Sequence, residues 1–395
     1  MSSGAGELGM TGRSIRNLYY ITHIENVRSI LSHGILSHEE ITERGLDSTA
    51  IYDIDIVSRR SNIATPDGRT LWSFANLYLQ PRNPMLYRVT LERGVDKLAV
   101  VAVKSKVLGR SDVMFANGNA AHRGTTIVPA PGREQFIREI ADIHSLTWWS
   151  AEDGSKRRIM AECLVPRLVD SSLIDAVYVA NPSVAEELQR TVGRAVPVIA
   201  EPQMFFEPTQ AIEVTPTLSL VVGDMFFSRM QTLTVSVNTV GVMGKGLASR
   251  AKYQFPDVYV RYQDVCRQRL LRMGVPFLYK RESSFHEELA DDPGTFTEGQ
   301  ETWFLLFATK GHWKERANLD GIVEGLTWVQ GRFEVEGIRS LAMPASGCGL
   351  GKLSWAEVGP LMCQNLGALG IRVWIYLPTE KAPEQEWLTP EYLLG

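Results

Sequence analysis

The pattern of hydrophobic and polar positions is most regular in the second half of the chain. There, short apolar runs alternate with segments whose apolar residues recur at helical spacing. The predicted strands are 218–222, 233–238, 303–309, 338–344 and 373–377, and the predicted helices are 246–254, 318–330 and 355–369. Strands alternating with helices predict an α/β domain with a largely parallel sheet covered on both faces. Ligands of such domains bind where the strands end.

The first half has a less regular order of elements. Strands are predicted at 18–22, 85–90, 98–103 and 173–179, and a short apolar segment occurs at 52–58. Helices are predicted at 24–32, 134–143 and 183–192, the first of them ending before Gly34. This mixture predicts an α+β domain.

A stretch rich in Pro and Thr separates the two halves. It covers residues 207–217, and Pro208 and Pro216 would interrupt a helix or a central strand. A length of 395 residues suits two domains of about 100–200 residues each. We therefore predict a domain at 1–206, a semi-extended linker at 207–217 and a domain at 218–395.

Composition excludes several classes of protein. Hydrophobic residues make up 44% and charged residues 22%, which rules out a long disordered chain. No apolar run approaches the ~20 residues that span a bilayer, and the first ten residues lack an apolar signal core. The four cysteines form no C-x-x-C pair and have no histidine at zinc spacing. We expect a cytoplasmic protein with free thiols, no metal and no membrane partner.

Charge limits how the chain can bind a nucleic acid. The net charge is −4, with −1 up to residue 210 and −3 after it. Neither half is a polycation, so any contact with a nucleic acid must use a local groove or pocket.

Two glycine-rich loops carry the main chemical signal of the second half. They span 238–246 and 346–352, and each lies between a predicted strand and a predicted helix. Glycines let backbone N–H groups converge on a ligand, and a helix start adds partial positive charge that suits a diphosphate. The alternative is a pair of tight turns without a ligand.

The second half resembles the macrodomain family, which binds ADP-ribose. The resemblance covers about 218–378 and is carried by Gly223, Asp224, Asn238, Gly241, Met243, Gly244, Gly246, Gly347, Cys348, Gly349 and Leu350. It implies a three-layer αβα fold with a mixed sheet. By analogy, Asp224 would contact the adenine, Asn238 the distal ribose and the second loop the diphosphate.

Within that family, the resemblance is closer to the DarG antitoxins and related terminal ADP-ribose glycohydrolases. Its mark is Lys310 at the end of a predicted strand, followed by His312 and Trp313. A deprotonated lysine beside the sugar C1″ can act as a nucleophile and form a Schiff-base-like adduct. The glycohydrolase relatives often carry an Asp after the second loop, where this chain has Gly351. The group that resolves the adduct is therefore unidentified.

The first half resembles the DarT family of DNA ADP-ribosyltransferase toxins. Ordered motifs over about 16–206 carry this resemblance: 18–26, 58–60, 81–87, 118–121 and 160–165. It implies an ADP-ribosyltransferase-like fold, with NAD⁺ as donor and a base in single-stranded DNA as acceptor. A single-stranded acceptor agrees with a pocket rather than a polycationic face.

The same resemblance assigns roles to residues of the first half. Glu162 matches the catalytic glutamate, whose carboxylate stabilises an oxocarbenium-like state and helps deprotonate the acceptor base. Arg60 matches the second essential residue, with Arg59 as the adjacent candidate. Residues of the NAD⁺ site would be Tyr20 (where the family has His), Thr22, His23 and Tyr78.

Aromatic residues of the first half leave two alternatives open. Tyr78 and Tyr87 would stack on the nicotinamide or belong to the core. A substrate loop at 111–155 contains Asn117 to Asn119, together with Trp148 and Trp149, which would stack unpaired bases or pack in the core.

These resemblances together predict a toxin–antitoxin fusion with a role in bacterial or phage defence. The first domain would add ADP-ribose to a base and the second would remove it, with the two domains in contact within one chain. Pairing with a macrodomain favours thymine as the base. Two alternatives stay open: the macrodomain acts mainly as a binding or inhibitory module, or the transferase modifies RNA or protein.

Overall fold

The computed structural model describes residues 15–51, 60–142, 145–291, 301–378 and 381–395. They form two compact units. The first holds the described residues up to Phe205 together with Leu289–Asp291, and the second holds the others. The apolar segment predicted at 52–58 lies outside the described residues.

The first unit is built on an eight-stranded sheet with the order β10-β9-β4-β1-β3-β7-β5-β6. Neighbouring strands are antiparallel where their register is defined, except for the parallel pair β9 and β10. Short strands β2 and β8 form a separate antiparallel pair. The strands are β1 Asn17–His23, β2 Ile35–Leu36, β3 Phe74–Tyr78, β4 Leu98–Lys104, β5 Met114–Ala116, β6 Ile127–Pro129, β7 Glu162–Pro166, β8 Leu168–Val169, β9 Ile174–Val179 and β10 Val198–Ala200.

Helices of the first unit are short and lie between these strands. They are α1 Val27–His33, α2 His38–Glu43, α3 Pro84–Arg93, α4 Arg133–Glu139, α5 Ser155–Arg158 and α6 Pro182–Val192. The structure confirms the strands predicted near 18–22, 98–103 and 173–179 and the helix at 183–192. The first predicted helix begins with a 3₁₀ turn at 24–26 and ends before Gly34.

The strand predicted at 85–90 is wrong, because this segment belongs to helix α3. Asn83 caps the helix by accepting a hydrogen bond from the Leu86 amide at 3.0 Å. Pro84 occupies the first turn, and Gly94 ends the helix with a φ of 80°. Residues 84–90 are all buried, so the run lacks the polar face that identifies an exposed helix.

The second unit is built on a seven-stranded mixed sheet with the order β11-β12-β17-β16-β13-β15-β14. Its strands are β11 Gln210–Thr215, β12 Leu218–Val222, β13 Thr232–Asn238, β14 Phe277–Tyr279, β15 Trp303–Lys310, β16 Ser340–Pro344 and β17 Arg372–Tyr376. The five inner strands are parallel, and the edge strands β11 and β14 are antiparallel to their neighbours. All five predicted strands are confirmed.

Helices of the second unit include the three predicted ones, of which the second extends further than expected. They are α7 Gly246–Gln254, α8 Pro256–Arg267, α9 Phe285–Leu289, α10 Leu319–Glu336, α11 Trp355–Gly367 and α12 Pro390–Leu394, and α9 ends on a residue of the first unit. The apolar sides of α10 and α11 pack in one core with inward residues of the parallel strands.

The predicted linker at 207–217 is wrong in its local structure. Residues Gln210–Thr215 pair with β12 as an edge strand of the second sheet. Pro208 and Pro216 flank this strand, where their missing N–H groups interrupt no central pairing.

Two expectations from the composition concern the state of the cysteines and the absence of membrane-spanning segments. All four cysteines are free thiols, and burial raises the pKa of the Cys363 thiol to about 12. Across the described ranges, every helix is too short or too polar to cross a bilayer.

Candidate active sites

Glu162 is the central charged group of the first unit. It begins β7, opposite Tyr78 of β3 on one side and Ala116 of β5 on the other. Its side chain is 0% exposed. Alternation along β7 turns Cys163 and Val165 into the main core and leaves Glu162 on the opposite face.

Three donors hold the Glu162 carboxylate. The Ala120 amide donates to Oε1 at 2.8 Å, while Arg60 Nη2 and Asn76 Nδ2 donate to Oε2 at 2.8 and 2.5 Å. Burying a carboxylate is costly unless it is paired and hydrogen-bonded, and these donors supply that compensation. The result is an oriented negative charge, which suits stabilisation of a cationic sugar centre.

A cavity of about 220 Å³ lies at the end of β1 in the same unit. The predicted residues Tyr20 and Thr22 line it together with Asn26, His38 and Trp72. Asn26 Nδ2 donates to Thr22 Oγ1 at 3.1 Å and to a backbone carbonyl of the following loop at 2.8 Å. Asn26 therefore fixes the loop that forms one wall of the cavity.

His38 gives this cavity a stacked aromatic pair. Its ring lies 4.6 Å from that of Trp72, with an interplanar angle of 25°. Burial, with a smaller contribution from Arg60, lowers the pKa of His38 to about 4. The imidazole is therefore neutral at pH 7.

The other predicted residues of the first unit have different surroundings. His23 accepts a hydrogen bond from the Glu25 amide at 3.3 Å, and burial lowers its pKa. Tyr78 is buried opposite Glu162, and Tyr87 is buried with its ring edge-on to Trp149. Neither His23, Arg60 nor Glu162 lines the cavity beside β1. Arg59 lies outside the described residues.

The structure contradicts base stacking by Trp149 and supports the alternative, that it packs in the core. It is fully buried, and its Nε1 donates to the Leu289 carbonyl at 2.9 Å. Trp148 remains partly exposed. The hypothesis of base stacking therefore applies to Trp148 alone.

The segment Leu289–Asp291 is a part of the first unit that no sequence motif indicated. Arg88 Nη1 donates to the Asp291 carbonyl at 3.1 Å, and Asn119 Nδ2 lies 3.3 Å from its carboxylate. Leu289 and Ala290 are buried. This segment therefore borders the loop whose Ala120 amide holds Glu162.

The second unit gathers its predicted residues at one edge of the sheet. Strands β16, β13 and β15 are adjacent and parallel, so their carboxyl ends and the following loops meet there. The Thr239 amide donates to the Gly311 carbonyl at 3.1 Å, and the Ala317 amide to the Gly351 carbonyl at 3.0 Å. The three loops therefore form one connected surface.

The two glycine loops approach each other closely. A Cβ placed on Gly246 would lie 3.2 Å from Leu350 Cδ1, and Gly246 has a φ of 60°. Gly347 has a φ of 80°, which a residue with a side chain rarely adopts. In contrast, a Cβ on Gly244 would meet no atom within 4 Å, so this glycine faces open space.

Asn238 has a loop-shaping role in this structure. Its Nδ2 donates to the Val242 carbonyl at 2.6 Å, and its Oδ1 accepts from the Val240 amide at 3.1 Å and from Tyr262 Oη at 2.9 Å. The side chain thus holds the first glycine loop in shape. A ribose contact would use the remaining N–H of the amide.

The Asp224 carboxylate accepts hydrogen bonds from other groups of the protein. Its carboxylate accepts from the Phe226 amide at 3.2 Å and from Arg250 Nη1 at 2.7 Å. The Arg250 guanidinium lies over the Phe226 ring, 5.0 Å from its centroid. Asp224 therefore keeps an oriented carboxylate at the end of β12.

Lys310 ends β15, directly opposite Asn238 in the register of β13. Its Nζ donates to the Glu315 carbonyl at 3.0 Å, which ties the amine to the turn that follows. Lys310 and Asn238 are therefore brought together by the sheet, as a site built around one sugar requires.

Cys348 and Gly349 belong to the turn of the second glycine loop. The Cys348 amide donates to the Ala345 carbonyl at 3.1 Å, and Gly349 accepts from the Lys352 amide at 3.0 Å. Burial raises the pKa of the Cys348 thiol to about 12. Cys348 is therefore a neutral thiol, and its amide already has an acceptor within the loop.

Gly351 leaves no room for a resolving carboxylate. A Cβ there would collide with the Gly347 carbonyl oxygen and lie 2.8 Å from Ala317 Cβ. The absence of an Asp at this position is therefore built into the packing of the loop.

Sequence reasoning missed His38, Trp72 and Asn76, and it assigned no role to Asn26 or the Ala120 amide, although both lie in the motifs 18–26 and 118–121. Asn76 carries the clearest signal: it is a polar residue between apolar neighbours on a strand. Its partner, however, lies 86 residues away and is fixed only by sheet pairing. Across the described ranges, the structure shows no cluster of three His, Cys, Asp or Glu side chains arranged for a metal.

Comparison with known proteins agrees with this two-site description. Residues 19–206 match the family model described as "ssDNA thymidine ADP-ribosyltransferase, DarT". A protein from Thermosipho africanus, described as a DNA ADP-ribosyl transferase–DNA ADP-ribosyl glycohydrolase fusion protein, is 53% identical over 96% of this chain and 98% of its own. A DNA ADP-ribosyl glycohydrolase from Thermus aquaticus is 33% identical over 44% of each chain.

A solved structure resembles the whole chain. It is that of Thermosipho africanus DarTG in complex with ADP-ribose, with 52% sequence identity and a TM-score of 0.92. It covers 96% of this chain and 100% of the other. The chain belongs to the family of fusion proteins that join a DarT-type DNA ADP-ribosyl transferase to a DarG-type DNA ADP-ribosyl glycohydrolase.

Proposed function

We propose that the first unit transfers ADP-ribose from NAD⁺ to thymine in single-stranded DNA, and that the second unit removes it. Glu162 and Arg60 act in the transfer, and Lys310 acts in the removal. The chain thereby carries a toxin and its antitoxin, and it works in the cytoplasm, where NAD⁺ and DNA are both present.

Transfer exchanges one bond at the sugar for another. The bond between nicotinamide and the ribose C1″ breaks, nicotinamide leaves, and a ring nitrogen of thymine forms the new bond to C1″. Glu162 stabilises the cationic sugar and accepts the proton that thymine loses. Arg60, paired with Glu162, binds the NAD⁺ phosphates or the acceptor base.

NAD⁺ binding draws on the cavity beside β1. A volume of about 220 Å³ is slightly below that of typical small-molecule sites and suits one half of a dinucleotide. Tyr20 and Thr22 supply polar groups there, and His23 lies at the end of the same strand. Tyr78, buried opposite Glu162, packs behind the carboxylate at which the sugar reacts.

Removal begins with attack of the Lys310 amine on C1″. The thymine leaves with a proton, the sugar ring opens into a Schiff base with Lys310, and water hydrolyses this adduct to release ADP-ribose and the amine. Asp224 and Asn238 position the adenine and distal ribose. The loops containing Gly244, Gly246, Gly347, Cys348, Gly349 and Leu350 enclose the diphosphate.

The observation that carries this proposal is the buried Glu162 carboxylate held by Arg60, Asn76 and the Ala120 amide. A fixed buried charge of this kind has a cost in stability, which a catalytic role explains. The family model for residues 19–206, which names thymidine in single-stranded DNA, supports the choice of acceptor.

The transferase is tested with NAD⁺ and single-stranded oligonucleotides, with product mass and base identification. To prevent removal, the reactions use the Lys310→Ala chain. We expect one ADP-ribose on a thymine, and no product after Glu162→Gln. Glu92→Gln is the control, because Glu92 also pairs with an arginine of this unit, Arg88, at 3.2 Å.

Specific results would reject the transferase assignment. Modification of RNA or protein without modification of DNA would show that the acceptor is not DNA. Transfer that persists in Glu162→Gln would remove the catalytic role of Glu162.

The glycohydrolase is tested on an oligonucleotide that carries ADP-ribose on thymine. Lys310→Ala and Lys310→Arg should both lose removal, because neither offers a nucleophilic amine, and both should still bind ADP-ribose. Lys280→Ala, which removes a lysine paired with Glu336 at 3.2 Å, is the control. Undiminished removal in Lys310→Ala would favour a macrodomain that acts by binding alone.

A further inference from the structure

The loops around Lys310 expose an unusual amount of apolar surface. Val240, Val242, Trp313 and Leu350 are 47, 42, 51 and 60% exposed, and they belong to the loops that follow β13, β15 and β16. Those strand ends are adjacent in the sheet. Exposed apolar surface collected at one edge of a domain, next to a reactive residue, indicates a binding surface.

Trp313 is the most informative of these residues. It lies three positions after Lys310, on a turn fixed by the bond from Lys310 Nζ to the Glu315 carbonyl and by one from the Glu315 amide to the His312 carbonyl at 3.0 Å. The His312 ring lies 5.3 Å from the Trp313 ring, at 32°. The indole therefore has a neighbour on one side, while half of its surface faces solvent.

One basic side chain contacts this indole, and two more lie in the adjoining loop segments. Lys314 Nζ lies 5.0 Å from the centroid of the Trp313 ring. Arg316 Nη2 donates to the Lys352 carbonyl at 3.2 Å, which places Arg316 beside Lys352 of the second glycine loop. All three basic side chains are exposed, whereas the Glu315 carboxylate accepts the His312 amide at 2.9 Å.

An exposed aromatic ring in the same loops as exposed basic side chains is a combination that binds unpaired nucleic acid. Bases stack on the ring, and the cations contact phosphates, with little dependence on sequence. Free ADP-ribose ends at the sugar that Lys310 attacks. In the proposed substrate of this unit, the sugar C1″ is joined to a base within a DNA strand, and the unpaired bases of that strand can stack on an aromatic ring.

We propose that Trp313 stacks on an unpaired base beside the ADP-ribosylated thymine, while Lys314, Arg316 and Lys352 contact the DNA backbone. This inference rests on the proposed glycohydrolase function and adds a DNA-binding surface to it. The second unit then recognises its substrate at two places: ADP-ribose in the cleft, and the DNA strand on the rim.

The test compares two substrates of the full-length chain: an oligonucleotide with ADP-ribose on one thymine, and ADP-ribosylated thymidine alone. Stacking is worth about 1–3 kcal/mol per base. For Trp313→Ala we therefore expect kcat/KM on the oligonucleotide to fall about 5- to 150-fold, with kcat/KM on the nucleoside within about twofold. Trp313→Phe, which keeps an aromatic face, should restore most of the loss.

A matched control is available in the same unit. Tyr253 is 56% exposed, with Lys252 Nζ 5.3 Å from its ring centroid, but it lies in the last turn of α7 rather than on the rim. Tyr253→Ala should leave both substrates unchanged. In a salt titration, Lys314→Ala should lower the slope of log affinity for the oligonucleotide against log salt by about 0.7.

The outcomes separate this inference from the function on which it rests. Equal loss on both substrates in Trp313→Ala, or no loss on either, would overturn the stacking role. If the wild-type chain releases ADP-ribose from neither substrate, the glycohydrolase proposal itself fails, and this inference fails with it.

Discussion

Asn76 offers the sharpest test of how the first unit holds the Glu162 carboxylate. Its Nδ2 donates to Glu162 Oε2 at 2.5 Å, while Arg60 and the Ala120 amide supply the other two bonds. An ionised carboxylate has about four acceptor positions, so three donors leave one for substrate. Asn76→Ala removes one of the three and frees the carboxylate to turn.

The expected loss follows from the kind of bond. Hydrogen bonds to charged groups are worth about 1.5–3 kcal/mol, and about 1.4 kcal/mol corresponds to a tenfold change in rate. We therefore expect kcat for ADP-ribose transfer to fall about 10- to 150-fold, with KM for NAD⁺ within about twofold. Asn76→Asp should be worse, because it places a second negative charge beside Glu162.

The assay is single-turnover transfer to a thymine-containing oligonucleotide, with thermal unfolding measured in parallel. Asn17→Ala is the control, because Asn17 Nδ2 makes the same kind of bond, to Asp175 Oδ2 at 2.9 Å, at an exposed position of the same sheet. A wild-type kcat in Asn76→Ala would refute the reasoning. So would a loss that merely follows a lower unfolding temperature, since that would be a structural effect.

Three further predictions test the geometry of each unit. Gly244→Ala should fold normally but weaken ADP-ribose binding, measured by calorimetry, because its Cβ would enter open space beside the cleft. Gly351→Ala should instead lower the free energy of unfolding by about 1–3 kcal/mol, because its Cβ collides with the Gly347 carbonyl. Trp149→Ala should destabilise the chain by about 3–5 kcal/mol in denaturant unfolding, whereas Trp148→Ala should leave stability within about 1 kcal/mol and weaken DNA binding; the reverse order would contradict the burial argument. Burial lowers the pKa of His38 to about 4, so the unfolded chain takes up the proton first as pH falls below 6.5. The His38 contribution to stability should therefore fall by about 2 kcal/mol between pH 7 and 5, and His38→Gln should lose that part of the dependence in unfolding curves. The part due to His286, whose pKa burial also lowers to about 4, should remain. A pH dependence equal to that of the wild type in His38→Gln would contradict the assignment.

The alternating strands and helices of the second unit were predictable because their residue types match the secondary structure that they form. The five parallel strands of the second unit are short apolar runs bounded by glycine loops, and these features are local. Helix α3 was not predictable in the same way. Its residues are buried on nearly all sides, so its period is hidden, and only Asn83, Pro84 and Gly94 mark its ends.

The edge strand β11 shows a second limit of local reasoning. Residues 210–215 are half polar and lie between two prolines, which are features of a linker. They form a strand because β12 offers unpaired backbone groups at the sheet edge, and backbone pairing requires no particular side chain. Such a strand forms because it pairs with its neighbour, and its own sequence of polar and apolar residues does not indicate it.

By itself, the sequence determined the two classes of domain and the family motifs, because these depend on local pattern and residue type, and through the motifs it singled out Glu162, Arg60 and Lys310 as candidates. Only the tertiary structure decided which groups surround them. Asn76, the Ala120 amide and Arg60 meet at Glu162 from strands and loops distant in sequence, and Trp149 is buried although its neighbour is not. Hydrogen bonds and burial depend on distances between such segments, and the packing of the sheet, rather than the order of residues, fixes those distances.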